Sequence, residues 1–287
     1  MIPIHHRYAV IGGHRVFYRE AGSRDRPTVV LLHGFPTSST MFRGILPLLA
    51  ERWHVVAPDL LGFGLSDTPT LEEFPYSFDS LTDVTAGLLT EIGIERYALF
   101  VHDYGAPIGW RLALRDPDAV RAIVSQSGNA YNEGFQPEFF VPMRAYWQNP
   151  DLGTEQVVRD TLSLEVIRWM YLSGAPDETL IDPSLWVHDD DLLARPGNDL
   201  VQLTLFGDYA TNLALYPAVQ RYFRTTQVPL LAVWGRNDPV FGPAGALAFA
   251  TDLPDAEVHL LDGGHFLLET ALDDVASLVT NFFNKHL

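Results

Sequence analysis

There is no cysteine in these 287 residues, which excludes a disulfide framework, thiolate catalysis and Cys-ligated zinc or iron–sulfur sites. Basic residues are scarce. Nineteen Lys and Arg stand against 36 Asp and Glu, a formal charge of −17 at pH 7. Nucleic acids and anionic membranes are recognised by clustered cations that displace counterions, so neither is expected as a partner. No apolar run approaches the ~18 residues of a membrane helix. The segment Met1-Ile-Pro-Ile-His-His-Arg7 lacks the apolar core of a secretory signal. These absences predict a soluble, unprocessed, cytoplasmic protein. Repeats and low-complexity tracts are missing too, and no histidines stand at H-E-x-x-H spacing, so neither a metal nor a cofactor is expected. What is present is an ordinary globular composition, 47% hydrophobic and 19% charged.

Periodicity supplies the organisation. Tyr8–Ile11 and His14–Tyr18 read as strands flanking Gly12-Gly13, a dipeptide suited to a hairpin turn. Thr28–Leu32, His54–Ala57, Tyr97–Val101, Val120–Val124, Pro229–Trp234 and Glu257–Leu261 are short apolar runs, as expected of strands buried on both faces of a parallel sheet. Amphipathic stretches at 41–49, 81–92, 105–114 and 244–250 alternate with them. A last helix carries Leu272, Val275, Leu278, Val279, Phe282 and Phe283 on one side. This βαβα rhythm predicts a doubly wound, mostly parallel α/β sheet. It is interrupted between about Asn129 and Ala210 by segments rich in Pro, Trp and Tyr. A core made of 1–128 and 213–287, with a helical cap 129–212 inserted after the sixth strand, is the expected organisation.

In open α/β sheets ligands bind beyond the carboxyl ends of the strands. The residues found there include His33-Gly34-Phe35-Pro36, Asp103, Asp238 and His265. Asp103 falls between a strand and the helix opening at Gly105, where a sharp turn holds a side chain clear of the sheet and backbone N–H groups face it. A plain helix cap is the alternative use of an Asp at such a turn. Asp238 before Pro239, and His265 after Gly263-Gly264, have equally ordinary turn and loop readings when taken singly.

In order, Asp103, Asp238 and His265 resemble the nucleophile, acid and histidine of the α/β-hydrolase fold superfamily, and the likeness spans nearly the whole chain. It implies an eight-stranded, mostly parallel sheet with an inserted cap. The G-x-S-x-G pentapeptide of serine members is absent. Aspartate in that slot resembles the epoxide hydrolase and haloalkane dehalogenase branch. The chemistry fits the swap, because a carboxylate attacking saturated carbon forms an ester that water then hydrolyses, whereas attack on an acyl group would give an anhydride. The resemblance assigns attack to Asp103, expected ionised with its reference pKa of about 3.9. It assigns activation of the hydrolytic water to His265 and orientation of the imidazole to Asp238. His33-Gly34-Phe35-Pro36 resembles the H-G-x-P element of epoxide hydrolases, so the N–H groups of Phe35 and Tyr104 are the expected oxyanion hole. His33, otherwise a structural histidine, is placed with Pro36 and Trp147 around the pocket.

Epoxide opening needs a proton for an alkoxide, and halide release needs N–H donors. Tyr146 and Tyr209 best match the pair of cap tyrosines of epoxide hydrolases, although both also suit an aromatic core. Dehalogenases usually carry Trp after the nucleophile and often Asn after His-Gly; Tyr104 and Phe35 stand there instead. In the other direction, Val101 and Pro36-Thr-Ser-Ser39 are closer to dehalogenases, and the Tyr104 phenol, Trp147, Trp169 or Trp186 are candidate halide holders. Epoxide hydrolysis is therefore the preferred expectation, with haloalkane dehalogenation, or a non-catalytic small-ligand-binding protein of the same fold, as alternatives. The expected partner is a small epoxide or halogenated alkane, and a homodimer would bury exposed cap aromatics. The acidic run His188–Asp191 is read as a solvated or capping segment, with metal binding as the less favoured alternative.

Overall fold

A computed structural model describes residues 2–287. Eight strands form one sheet: β1 (Ile4–Ile11), β2 (His14–Ala21), β3 (Thr28–Leu32), β4 (His54–Pro58), β5 (Tyr97–His102), β6 (Val120–Gln126), β7 (Leu230–Gly235) and β8 (Glu257–Leu261), in the order β1-β2-β4-β3-β5-β6-β7-β8. β1 and β2 pair antiparallel through the Gly12-Gly13 turn, and β2 meets β4 antiparallel. Every further pairing is parallel.

The central strands are apolar without a break because both of their faces are covered. Val30, Leu32, Leu99 and Val101 pack toward α2 (Phe78–Glu91) and α3 (Gly105–Arg115) on one side. Val29, Leu31, Ala98 and Phe100 pack toward α1 (Ile45–Leu49) on the other. Each large side chain so enclosed contributes about 1.5–3 kcal/mol.

Between β6 and β7 lie α4 (Pro137–Gln148), α5 (Leu152–Asp160), α6 (Leu164–Leu172), α7 (Ser184–Leu193), α8 (Asn198–Asp208) and α9 (Ala210–Thr226); α10 (Pro243–Ala248), α11 (Leu267–Thr270) and α12 (Leu272–His286) complete the chain. Helix α9 runs unbroken through residue 212, and its second half lies on the core, with Phe223 edge-on to Trp110 of α3 at 5.5 Å. Arg111 of α3 ties the two parts together, donating to Asn212 at 2.6 Å and to Asp79 at 2.5 Å. No helix among the described residues is long and apolar enough to cross a membrane.

Some boundaries differ from the sequence reading. The single helix expected at 41–49 is a 3-10 turn, Ser39–Phe42, followed by α1, with Gly44 between them pressed on Leu272. Helix α2 starts earlier than expected because the Ser77 hydroxyl accepts the Ser80 N–H at 3.0 Å and caps it. The expected solvation of His188–Asp191 does not hold for Asp189, which is 2% exposed.

Candidate active site

The adjacent parallel strands β3 and β5 deliver two loops to the same edge of the sheet. At the end of β5 the chain turns through Asp103 at φ 48° and enters α3 at Gly105. A left-handed backbone at a non-glycine residue costs of order 1–3 kcal/mol, so the surroundings must enforce it. They do so by close packing: a Cβ on Gly34, in the loop after β3, would collide with the Asp103 carboxylate and the Tyr104 nitrogen. That closeness lets two backbone donors converge on one oxygen. Asp103 Oδ1 accepts the Phe35 N–H at 2.7 Å and the Tyr104 N–H at 2.6 Å. Oδ2 is left facing His265, with Nε2 at 3.9 Å.

His265 comes from the loop after β8, and Asp238 from the loop after β7. The imidazole Nδ1 lies 3.0 Å from Asp238 Oδ2, and Nε2 has no hydrogen-bond partner. Asp238 is itself held by donors: Oδ1 accepts the N–H groups of Val240 at 2.8 Å and Phe241 at 3.0 Å, and Oδ2 accepts the Ser127 hydroxyl at 2.6 Å. With Nδ1–H directed at the carboxylate, Nε2 is the basic nitrogen. The three residues expected to act together are therefore brought together, all buried.

The electrostatics depart from the ordinary acidity expected of Asp103. Burial pushes its carboxyl up to about 6, against the opposing pull of His265 and of the two backbone donors. Burial alone would lower His265; the charge and hydrogen bond of Asp238, followed by the charge of Asp103, outweigh it and leave the imidazole above its usual value.

Above Asp103 is a narrow cavity roofed by Phe140, Met143, Met170, Phe206 and Phe241. Asp103 is the one charged side chain in its lining among the described residues. Tyr209 and Trp147 also line it, their rings nearly parallel at 7° and 5.9 Å apart. The Trp147 indole N–H is already committed, donating to the Phe206 carbonyl at 2.7 Å. The Tyr209 phenol is held well above its usual pKa by burial, then by Tyr216 and the Asp103 charge, so it stays a proton carrier.

Five expected pocket residues need correction. Tyr146 does not line the cavity; the inner face of α4 carries Phe139, Phe140, Met143 and Trp147, and Tyr146, just off that stripe, lies against Gly207 of α8. His33 does not line it either. Its Nε2 accepts the Leu60 N–H at 3.0 Å while Nδ1 donates to the Gly34 carbonyl at 3.0 Å, so it braces the loop after β3. Pro36 also lies outside the lining. Trp169, 40% exposed, and Trp186 are likewise not part of it. Ser127, in the Gln126–Asn129 segment that also falls at the carboxyl edge, is given no role by the sequence reading. It follows β6 at φ 53°, and that strained backbone aims its hydroxyl at Asp238.

Comparison with known proteins places this geometry in context. The family model described as alpha/beta hydrolase fold matches residues 27–272. An uncharacterized hydrolase of Saccharomyces cerevisiae is 41% identical, covering 98% of this chain and 97% of its own. Haloalkane dehalogenase 2 of Mycobacterium tuberculosis is 28% identical over 99% of this chain and 96% of its own. The crystal structure of epoxide hydrolase A from Mycobacterium thermoresistibile superposes with a TM-score of 0.79 at 26% identity, covering 99% of each chain.

Proposed function

We propose, from the premise that this chain belongs to the alpha/beta hydrolase fold family, in its haloalkane dehalogenase and epoxide hydrolase-like branch, that it hydrolyses small epoxides to vicinal diols through an ester on Asp103. The observation that carries this reading is the asymmetry of one carboxylate: Oδ1 is bound by two N–H groups while Oδ2 is free beneath an apolar cavity.

In the first step Oδ2 attacks an epoxide carbon. The C–O bond breaks, an alkyl ester forms, and the departing oxygen takes the Tyr209 proton. In the second, His265 Nε2 removes a proton from water as its oxygen attacks the ester carbon, Cγ of Asp103. Charge then collects on Oδ1, where the Phe35 and Tyr104 N–H groups already point; one such donor is worth roughly 3–4 kcal/mol. On collapse the departing oxygen takes the remaining proton of the attacking water, which frees the diol and restores the carboxylate, and the imidazolium proton returns to Tyr209 by way of solvent. Esterification also removes the Asp103 charge, one of the influences holding His265 in its protonated form. The histidine is thus more readily neutral, and so able to accept a proton, when it is needed.

The preference for an epoxide over a halide rests on the donors that remain free. Halide release calls for N–H groups around the leaving ion, and the cavity's one indole N–H is spent on Phe206. A phenol beside the nucleophile suits an alkoxide. The test is to present aryl and aliphatic epoxides beside bromoalkanes and measure diol against free halide. Diol from epoxides is expected; halide release without diol would sink the reading.

Two further outcomes follow from the site. Tyr209→Phe is expected to slow ester formation from an epoxide about 10²-fold while leaving ester hydrolysis within a few-fold, since only the opening step uses its proton. Stopped-flow fluorescence of Trp147 against the cavity can separate the steps, and equal slowing of both would remove Tyr209 from this role. The pH dependence is the second. Because burial raises the Asp103 carboxyl to about 6, its nucleophilic form is present above that value and lost as pH falls through it. Ester formation is therefore expected to fade near pH 6 instead of near pH 4; a rate that holds to pH 4 would contradict the weakened acidity.

A further inference from the structure

No step of that reaction uses Asp189, yet its environment is costly to build. Helix α7 turns this side chain inward, where it accepts the Tyr171 hydroxyl of α6 at 2.6 Å, and the Thr37 hydroxyl of the oxyanion loop faces the same pair. Burial pushes the Asp189 carboxyl up to about 7. Glu269 of α11 and Asp59 after β4 face it as well. A carboxyl is a poor choice for apolar filler. What it supplies is direction: a hydrogen bond fixes the rotation and depth of the phenol, which packing alone would leave free to slide.

The far side of that phenol is where the fixing matters. The Tyr171 ring lies flat on Phe266, with 3.9 Å between centroids and 10° between planes. Phe266 follows His265 directly and meets the imidazole edge-on at 5.1 Å. The turn after α6 closes on the same loops. Gly264, before the histidine, meets the Ser173 carbonyl so tightly that no Cβ would fit, and Asn237, before the acid, donates to the Gly174 carbonyl at 3.4 Å. The end of one cap helix thus touches the residues on both sides of His265 and the residue preceding Asp238.

We propose that Tyr171 and Asp189 are positioning residues for His265: the carboxylate fixes the phenol, the phenol fixes Phe266, and Phe266 holds the imidazole where Nε2 reaches the water attacking Asp103. This rests on the two-step reading above, in which ester hydrolysis needs His265 and ester formation does not. The consequence is a selective defect in the second step.

The experiment follows ester formation and decay on the full-length protein by rapid quench and intact mass, with styrene oxide as the probe and His265→Gln run alongside. In Tyr171→Leu, ester decay is expected to slow about 10–100-fold, the scale of an ångström's misplacement of a reacting group, with formation within about 2–3-fold of the unaltered protein. Tyr171→Phe keeps the stacked ring but loses the bond to Asp189, so it is expected to slow decay as Asp189→Leu does, whereas Asp189→Asn keeps an acceptor for the phenol and is expected to recover most of the decay rate. A purely structural role would not separate the two steps in this way. Should Tyr171→Leu fail to fold, Asp189→Leu carries the same comparison. Unchanged decay, or formation and decay falling together, would overturn the positioning role. Absence of any ester in His265→Gln would overturn the two-step reading instead.

Discussion

With His265 replaced by Gln, the protein incubated with a reactive epoxide is expected to gain the full mass of that epoxide, on the peptide carrying Asp103. Steady-state diol formation should fall by about 10²–10⁴-fold, the usual contribution of a general base. The expectation follows from the division of labour in the site. On the proposed route, attack on the epoxide needs an ionised carboxylate oxygen and a proton for the leaving oxygen, and Asp103 Oδ2 and Tyr209 supply these without His265. Escape from the ester needs water stripped of a proton at Nε2, which is unpartnered and faces the carboxylate at 3.9 Å. Glutamine fills a similar space but is not a base, so the first step proceeds and the second stalls. Diol lost with no added mass at any time would mean that no ester forms, and the covalent route would have to be abandoned.

Much of this architecture was legible in the sequence because it lies in backbone rhythm. Thr28–Leu32 and Tyr97–Val101 are unbroken apolar runs because both of their faces are covered, and only a parallel sheet between helix layers does that to consecutive short strands. Once those runs were found, the carboxyl edge followed, and with it Asp103, Asp238 and His265, each in the loop after a strand. What stayed hidden depends on rotation and approach. Tyr146 and Trp147 are neighbours in sequence, but about 100° of helical rotation separates them, and the phase of α4 is set by where Pro137 starts it and by what packs beneath. Trp147 reads as a free N–H donor until the Phe206 carbonyl of a distant helix is placed beside it. Asp189 reads as surface in an acidic run, and only the approach of α6 to α7 makes it a buried acceptor. The weakened acidity of Asp103 was equally invisible, since burial in the folded protein, not the local sequence, causes it.

Asp103→Asn is expected to abolish diol formation by at least about 10⁴-fold, as loss of a covalent nucleophile does elsewhere, and at the same time to make the protein more stable at neutral pH. The loss follows because an amide has no anionic oxygen to attack with, while its carbonyl can still accept the Phe35 and Tyr104 N–H groups, leaving the site's shape intact. The gain follows from linkage. A carboxyl whose folded pKa is raised to about 6 destabilises the fold wherever it is ionised, a penalty fully present above that value and relieved as pH falls toward the unfolded value near 4. Each tenfold weakening of an acid on folding costs about 1.4 kcal/mol, so a gain of about 1–3 kcal/mol is expected at pH 7.5. It should shrink toward zero by pH 4, where the native side chain is neutral as well. Asn also tolerates the left-handed backbone at φ 48°, so the exchange adds no strain of its own. Chemical denaturation of both proteins at pH 7.5 and pH 4.5 measures the difference. If the Asn variant is inactive yet no more stable at pH 7.5, the nucleophile is not held at a cost to the fold; if it keeps activity near the level of the unaltered protein, Asp103 is not the nucleophile.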